Sequence, residues 1–143
     1  LKAGDLLRVE GPYGTFNFVG KPGRQVWVGG GIGITPFIAR LQQLALRPDG
    51  KAIDLFYTTA TPRVGVVARL TAAAHAAGVR LHVMVDAVDG RLNAERLCAA
   101  VPHWRTADVW FCGPAAFGQA LRHDLLAKGL PSRDFHQELF NLR

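Results

Sequence analysis

The sequence predicts an α/β domain in which a doubly wound five-stranded parallel sheet carries helices on both faces. Two observations predict it. Short apolar runs alternate five times with helical patterns over short connections, as parallel strands joined by crossover helices do. The first main strand also runs into its helix through a glycine-rich turn, Gly29-Gly30-Gly31-Ile32-Gly33, which allows a sharp reversal of the backbone.

Taken in order, residues 6–10 read as a short strand, 11–14 as a Gly-Pro turn and 15–18 as another short extended piece. Lys21-Pro22-Gly23 punctuates the entry to the main body. Residues 25–28 form the first strand of the sheet. A helix from about Pro36 follows, with Phe37, Ile38, Leu41, Leu44 and Ala45 on one face at helical spacing. Residues 53–57 give the second strand and 66–76 an Ala-rich helix that Gly78 stops. Residues 79–85 alternate as the third strand. Asn93 is placed to cap a short helix through Ala100. Residues 109–112 make the fourth strand, 114–128 the next helix and 135–140 the fifth strand. The sequence reads without an internal repeat or a low-complexity segment.

Composition bounds the function. A chain of 143 residues, 49% hydrophobic and 20% charged, has material for one buried core. The net charge is +6 and the pI about 10.0, but Arg8, Lys21, Arg24, Arg40, Arg47, Arg63 and Arg69 stand singly. With no block of like charge and no aromatic–basic interleaving, a nucleic-acid partner or a polybasic membrane anchor is not expected. The two cysteines, Cys98 and Cys112, make neither a disulfide framework nor a metal cluster, and they read as reduced thiols. The histidines lack metal-ligand spacing, so no metal site is expected. No apolar run approaches the roughly 18 residues of a membrane span. The chain begins at Leu1 without a Met and reads as starting in mid-element.

The glycine turn carries the most chemistry. Free N–H groups at a helix start, with the helix dipole, favour a pyrophosphate. Thr35 suits the cap of the helix and Pro36 its first position. The pattern is neither Gly-x-Gly-x-x-Gly, since Ile34 or Pro36 fills the last slot, nor an ATP-binding loop, since the Lys-Ser/Thr pair is missing. The residues alone leave two readings, a structural tight turn and a phosphate cradle.

Gly-Gly-Gly-Ile-Gly-Ile-Thr-Pro at 29–36, Cys-Gly-Pro at 112–114 and Phe-His-Gln-Glu-Leu-Phe at 135–140 stand in consistent order and spacing. Together they resemble the NAD(P)-binding domain of the ferredoxin–NADP reductase superfamily. Gly-Pro-Tyr-Gly-Thr-Phe at 11–16 and the ending Glu-Leu-Phe-Asn-Leu-Arg are most similar to its ferric-reductase and NADPH-oxidase-like branch. The resemblance covers nearly the whole chain. It implies a flavin-binding β-barrel first, then a parallel sheet in order 3-2-1-4-5. Residues 1–18 would be the C-terminal remnant of that barrel with its linker, and 19–143 the NAD(P)-binding domain. The family's Arg-x-Tyr-Ser flavin motif is absent from this sequence. The chain alone is therefore expected to be inactive and not to hold FAD.

The resemblance also implies roles. Gly29, Gly30, Gly31, Ile32, Gly33, Thr35 and Pro36 would cradle the pyrophosphate, with Thr58, Gly113 and Pro114 completing the crevice. Cys112 would stand beside the nicotinamide and position it for hydride transfer to FAD; the plain alternative is a small buried thiol. Glu138 would orient the thiol or the carboxamide and offset developing positive charge; the alternative is a solvent-facing edge Glu. Phe140 would be the C-terminal aromatic over the flavin, against the alternative of a core phenylalanine. His136 reads as structural, pointing away from the neighbours of Glu138. Asp86, just after the third strand, faces the adenosine ribose and favours NADH over NADPH, although Arg91 is close enough to clamp a 2′-phosphate. The expected function is NAD(P)H oxidation with hydride transfer to FAD, then electron delivery to an acceptor outside the chain. The competing reading is a non-catalytic pyridine-nucleotide-binding redox sensor, which has no need of Cys112, Glu138 and Phe140. The expected location is the cytoplasm, or the cytoplasmic face of a membrane.

Overall fold

The strands follow from where the apolar side chains sit. The computed structural model describes Phe18 and residues 23–140; apart from Phe18, the readings made on residues 1–22 lie outside the described residues. The sheet is built from β1 (Arg24–Gly30), β2 (Ala52–Thr59), β3 (Arg80–Val85), β4 (Asp108–Pro114) and β5 (Phe135–Phe140). All neighbours are parallel, in the order β3-β2-β1-β4-β5. Helices α1 (Thr35–Leu46), α2 (Val64–Ala77), α3 (Ala94–Ala100) and α4 (Ala115–Lys128) supply the crossovers, and a single helical turn, Asp86–Asp89, follows β3.

Both faces are covered, which explains the apolar runs of the central strands. On one face, Trp27, Leu55, Tyr57, Trp110 and Cys112 pack under Phe37, Leu41 and Leu44 of α1 and Leu70 and Ala74 of α2. On the other, Val26, Val28, Phe56, Val109 and Phe111 pack under Ala94 and Leu97 of α3 and Leu121 and Leu125 of α4. Phe18 joins the first core. Its ring lies 5.0 Å from that of Trp27 and 5.2 Å from that of Trp110. Buried Gln25 ties it in, donating to the Phe18 carbonyl and accepting from the Trp27 indole N–H.

Helix ends follow local chemistry. The Asn93 side chain accepts from the Arg96 N–H, as predicted. Gly78 (φ 72) and Gly129 (φ 117) end α2 and α4 in the left-handed conformation. The expectation for α1 is corrected. A 3-10 turn, Gly31–Ile34, runs continuously into the helix, so Thr35 already has helical dihedrals, whereas a cap residue needs extended backbone. Thr35 is the first helical residue and Pro36 the second, with Ile34 at the cap and no side-chain cap bond. The Thr35 hydroxyl donates back to the Ile32 carbonyl. Pro114 likewise precedes its helix rather than opening it, because it still pairs with Phe140 in the sheet.

Two similar side-chain clips brace the outer strand pairs. On the β2–β3 side, the His82 ring stacks on Phe56 at 4.3 Å, and its Nε2 lies 3.0 Å from Asp54 Oδ1. On the β4–β5 side, the His136 ring stacks on Trp110 at 3.9 Å, and its Nε2 lies 3.2 Å from Asp108 Oδ1. Each Asp and His stand 28 residues apart. The two clips lie on opposite faces of the sheet. What they share is only an Asp-x-aromatic stretch and a distant His, too sparse to read without the register. Among the described residues, no helix is long and apolar enough to cross a membrane, and no group of His, Cys, Asp and Glu is placed to hold a metal.

Candidate functional site

The chain's winding reverses between β1 and β4, and in sheets wound this way the loops leaving those C-terminal ends border the ligand crevice. Most glycines of this crevice serve internal packing. A Cβ on Gly33 would lie 2.1 Å from the Cys112 carbonyl oxygen, and one on Gly113 would lie 3.0 Å from the Phe111 ring and 3.3 Å from Gly30. A Cβ on Gly30 would press on Pro114 and Phe117, and one on Gly29 on Ile34. The first loop is thus seated directly on the end of β4. Gly31 differs: its φ is 58 and nothing lies within 4 Å of its missing Cβ. It and Ile32, 41% exposed, form the open lip of the crevice.

Two helices start at this crevice. Neither α1 nor α4 has a side-chain cap, and neither carries an acidic residue in its first turn. Neither helix start is thus neutralised by its own cap or first turn, which suits a phosphate-bearing ligand. Of the other predicted contacts, Thr58 pairs with Gly30 in register but is buried within the sheet, while Pro36 sits in the first turn of α1.

The register also brings the proposed chemistry together. Cys112 pairs with Gly29 on one side and with Glu138 on the other, so thiol and carboxylate share one face. Cys112 is 3% exposed. Burial, reinforced by the charge of Glu138, pushes its thiol up to about 12, so it is a neutral thiol at physiological pH and not a nucleophile. Burial also raises the carboxyl of Glu138 above its ordinary range. Phe140 pairs with Pro114 and lies in the same core as Cys112, 6% exposed. In this structure it is a core side chain.

His136 needs a correction. Strand side chains alternate with period two, so residues 136, 138 and 140 share a face. The stack of His136 on Trp110, in the core that holds Cys112 and Phe140, places it on the Glu138 side rather than away from it.

The turn after β3, at the same C-terminal edge of the sheet, carries the other residues expected to meet the nucleotide. Asp86 is half-buried and opens the helical turn, and Arg91 is exposed beyond it. Two residues that the sequence did not single out fix this turn. The Asp89 carboxylate accepts from the Val85 N–H. The Arg96 guanidinium folds over Gly90 and donates to the Asp89 carbonyl. An Asp four positions past the strand end is the signal that was available.

No protein-family model matches the chain. Flavohemoprotein of Bordetella pertussis is 32% identical over 159 residues, covering 98% of this chain and 38% of that protein. The ferredoxin reductase component of 3-ketosteroid-9-alpha-monooxygenase from Rhodococcus rhodochrous is 27% identical over 143 residues, 99% of this chain and 41% of that protein. The chain belongs to the ferredoxin–NADP reductase superfamily. Within that superfamily it is the pyridine-nucleotide-binding domain, and the strand order implied by the resemblance is the one observed. The flavohem-like FAD/NAD-binding domain of nitric oxide dioxygenase from Vibrio cholerae shares the fold with a TM-score of 0.72. It is 25% identical, over 87% of this chain and 54% of that one. The chain thus spans only about two-fifths of the length of these curated relatives.

Proposed function

We propose that this domain binds NAD(P)H across the β1–β4 crevice and presents the nicotinamide to a flavin held by a preceding domain of the same polypeptide. Residues 1–18 lead out of that domain in this reading, with Phe18 already anchored in the nucleotide-binding core. The observation that carries the proposal is the in-register Cys112–Glu138 pair beside two uncapped helix starts. When bound, the nucleotide supplies a hydride and the flavin accepts it.

The chain's own residues bind and orient. The first turns of α1 and α4 hold the pyrophosphate, and Gly31 lets it approach the backbone. Gly113 and Pro114 shape the floor on which the nicotinamide lies. Cys112 stays protonated and sets the position of the ring without forming a covalent bond. Glu138 is partly desolvated, so its carboxylate stabilises a positive charge arriving beside it, which favours the oxidised ring. Phe140 packs behind Cys112 and backs the same floor. Asp86 accepts hydrogen bonds from an adenosine ribose diol and repels a 2′-phosphate, so NADH binds tighter than NADPH. Like charges a few ångströms apart cost about 1 kcal/mol even in a solvent-rich setting, which is roughly fivefold to tenfold in affinity. Arg91 is the residue on which the opposite preference would depend. Electrons leave the flavin for an acceptor outside this chain, as the names of the relatives, flavohemoproteins and reductase components of oxygenases, indicate for those proteins.

The test is anaerobic stopped-flow reduction of the flavin-containing enzyme. Cys112→Ala is expected to slow flavin reduction about tenfold while the nucleotide dissociation constant changes little. An unchanged reduction rate would leave Cys112 with a packing role alone. Calorimetric titration with both nucleotides tests the ribose assignment: tighter NADPH binding, lost in Arg91→Ala, would overturn the preference for NADH.

A further inference from the structure

We propose that His136 is a positioning residue for the hydride-transfer end of the site, holding β5 so that Glu138 stays opposite Cys112. The inference rests on the function proposed above. β5 is a six-residue strand at the edge of the sheet, and among the described residues it pairs only with β4. Edge strands open more readily than central ones, since only one neighbour holds them. Yet β5 carries the carboxylate whose distance from the thiol must stay fixed.

The clip is placed where it controls that distance. Asp108, Trp110 and Cys112 follow one another at period two on β4, and His136 and Glu138 do the same on β5. His136 faces Trp110 in register, and the next pair along the same face is Cys112 and Glu138. The imidazole lies nearly parallel to the indole at 3.9 Å, with an interplanar angle of 20°. Its Nε2 is 3.2 Å from a carboxylate that is 1% exposed. A stack fixes the separation of the two strands, and a bond to a buried carboxylate fixes their offset. A slip of β5 by one residue would break both and turn Glu138 to the other face. The β2–β3 clip of Asp54, Phe56 and His82 has the same chemistry on the opposite face, away from the Cys112–Glu138 pair. It supplies an internal control.

The experiment compares His136→Ala, His136→Gln, His136→Phe, His82→Ala and Glu138→Gln in the flavin-containing holoenzyme. Each is read by thermal melting, nucleotide affinity and stopped-flow flavin reduction well below the melting temperature. Both alanine variants are expected to lower the melting temperature. Only His136→Ala is expected to slow flavin reduction, by about tenfold, with affinity held within about twofold. His136→Gln restores the bond and His136→Phe the stack, so each is expected to recover part of the rate, and either serves if the alanine variant fails to fold. Equal effects of His136→Ala and His82→Ala on the reduction rate, or none from either, would reduce the clip to a fold element. If Glu138→Gln slows reduction while no His136 variant does, the positioning role falls and the proposed function stands. If Glu138→Gln also leaves reduction unchanged, both fall.

Discussion

Gly33 has no room for a side chain, and Gly31 has no need of the space it leaves open. The Cβ of an alanine at 33 would meet the backbone of β4 at 2.1 Å, so the crevice itself must shift to admit it. Gly33→Ala is expected to cost roughly 1–3 kcal/mol in chemical denaturation and to weaken nucleotide binding. Gly31→Ala meets no atom, and its left-handed φ of 58 makes it cost only about 1 kcal/mol. A larger loss from Gly31→Ala than from Gly33→Ala would contradict this division of roles. Cys112 gives a pH dependence with a definite sign. Its thiol is raised from 9.0 in a solvated chain to about 12 in the fold, so the folded state holds the proton more tightly. That contribution is fully present below pH 9 and is lost as pH rises toward 12. Wild type should therefore lose stability relative to Cys112→Ala across that window, measured by urea unfolding at stepped pH. A constant difference would mean that the thiol is not desolvated.

At the scale of elements, β5 combines a structural and a chemical task, and the two conflict at Glu138. Burial raises its carboxyl, so the folded state favours the protonated form. The sign is opposite to that of a salt-bridged carboxylate: stability is greatest at acid pH and falls as pH rises through the raised value. Glu138→Gln is thus expected to raise the melting temperature at neutral pH while slowing flavin reduction, a trade of stability for function. A lower melting temperature would show that the carboxylate is stabilising where it sits. The same strand shows why part of the site was hidden in the sequence. The pairing of Cys112 with Glu138 is long-range, so their being opposite came from the resemblance, not from spacing. The side on which His136 lies is legible in the sequence, because period two puts 136 and 138 on one face. The start of α1 was not legible: Thr35-Pro36 has the residue types of a cap and first turn, and a preceding 3-10 turn shifts the helix by one residue.

For the molecule as a whole, the alternation of apolar runs and helical patterns was enough to place all five strands of the described sheet to within a few residues. The strand order came with the motif resemblance, since local periodicity carries no information about which strands are neighbours. The crevice was foreseen because glycine, proline and a strand end announce a tight turn wherever they meet. The likeness of the two Asp–His clips was not, because their partners come together only once the sheet is assembled. The lack of the Arg-x-Tyr-Ser motif in this sequence has a whole-molecule consequence: the purified chain is expected to be colourless, and a stoichiometric flavin spectrum would contradict the assignment of the flavin to another domain. The central claim is that the pyridine nucleotide lies at the C-terminal ends of β1 and β4, and backbone amide NMR of this chain titrated with NADH tests it most directly. The account predicts saturable shifts at Gly31, Ile32, Gly33, Gly113 and Ala115, with Ala52, Asp54 and Asp108 at the opposite end of the sheet unmoved. Shifts confined to that opposite end, or none at saturating nucleotide, would contradict it.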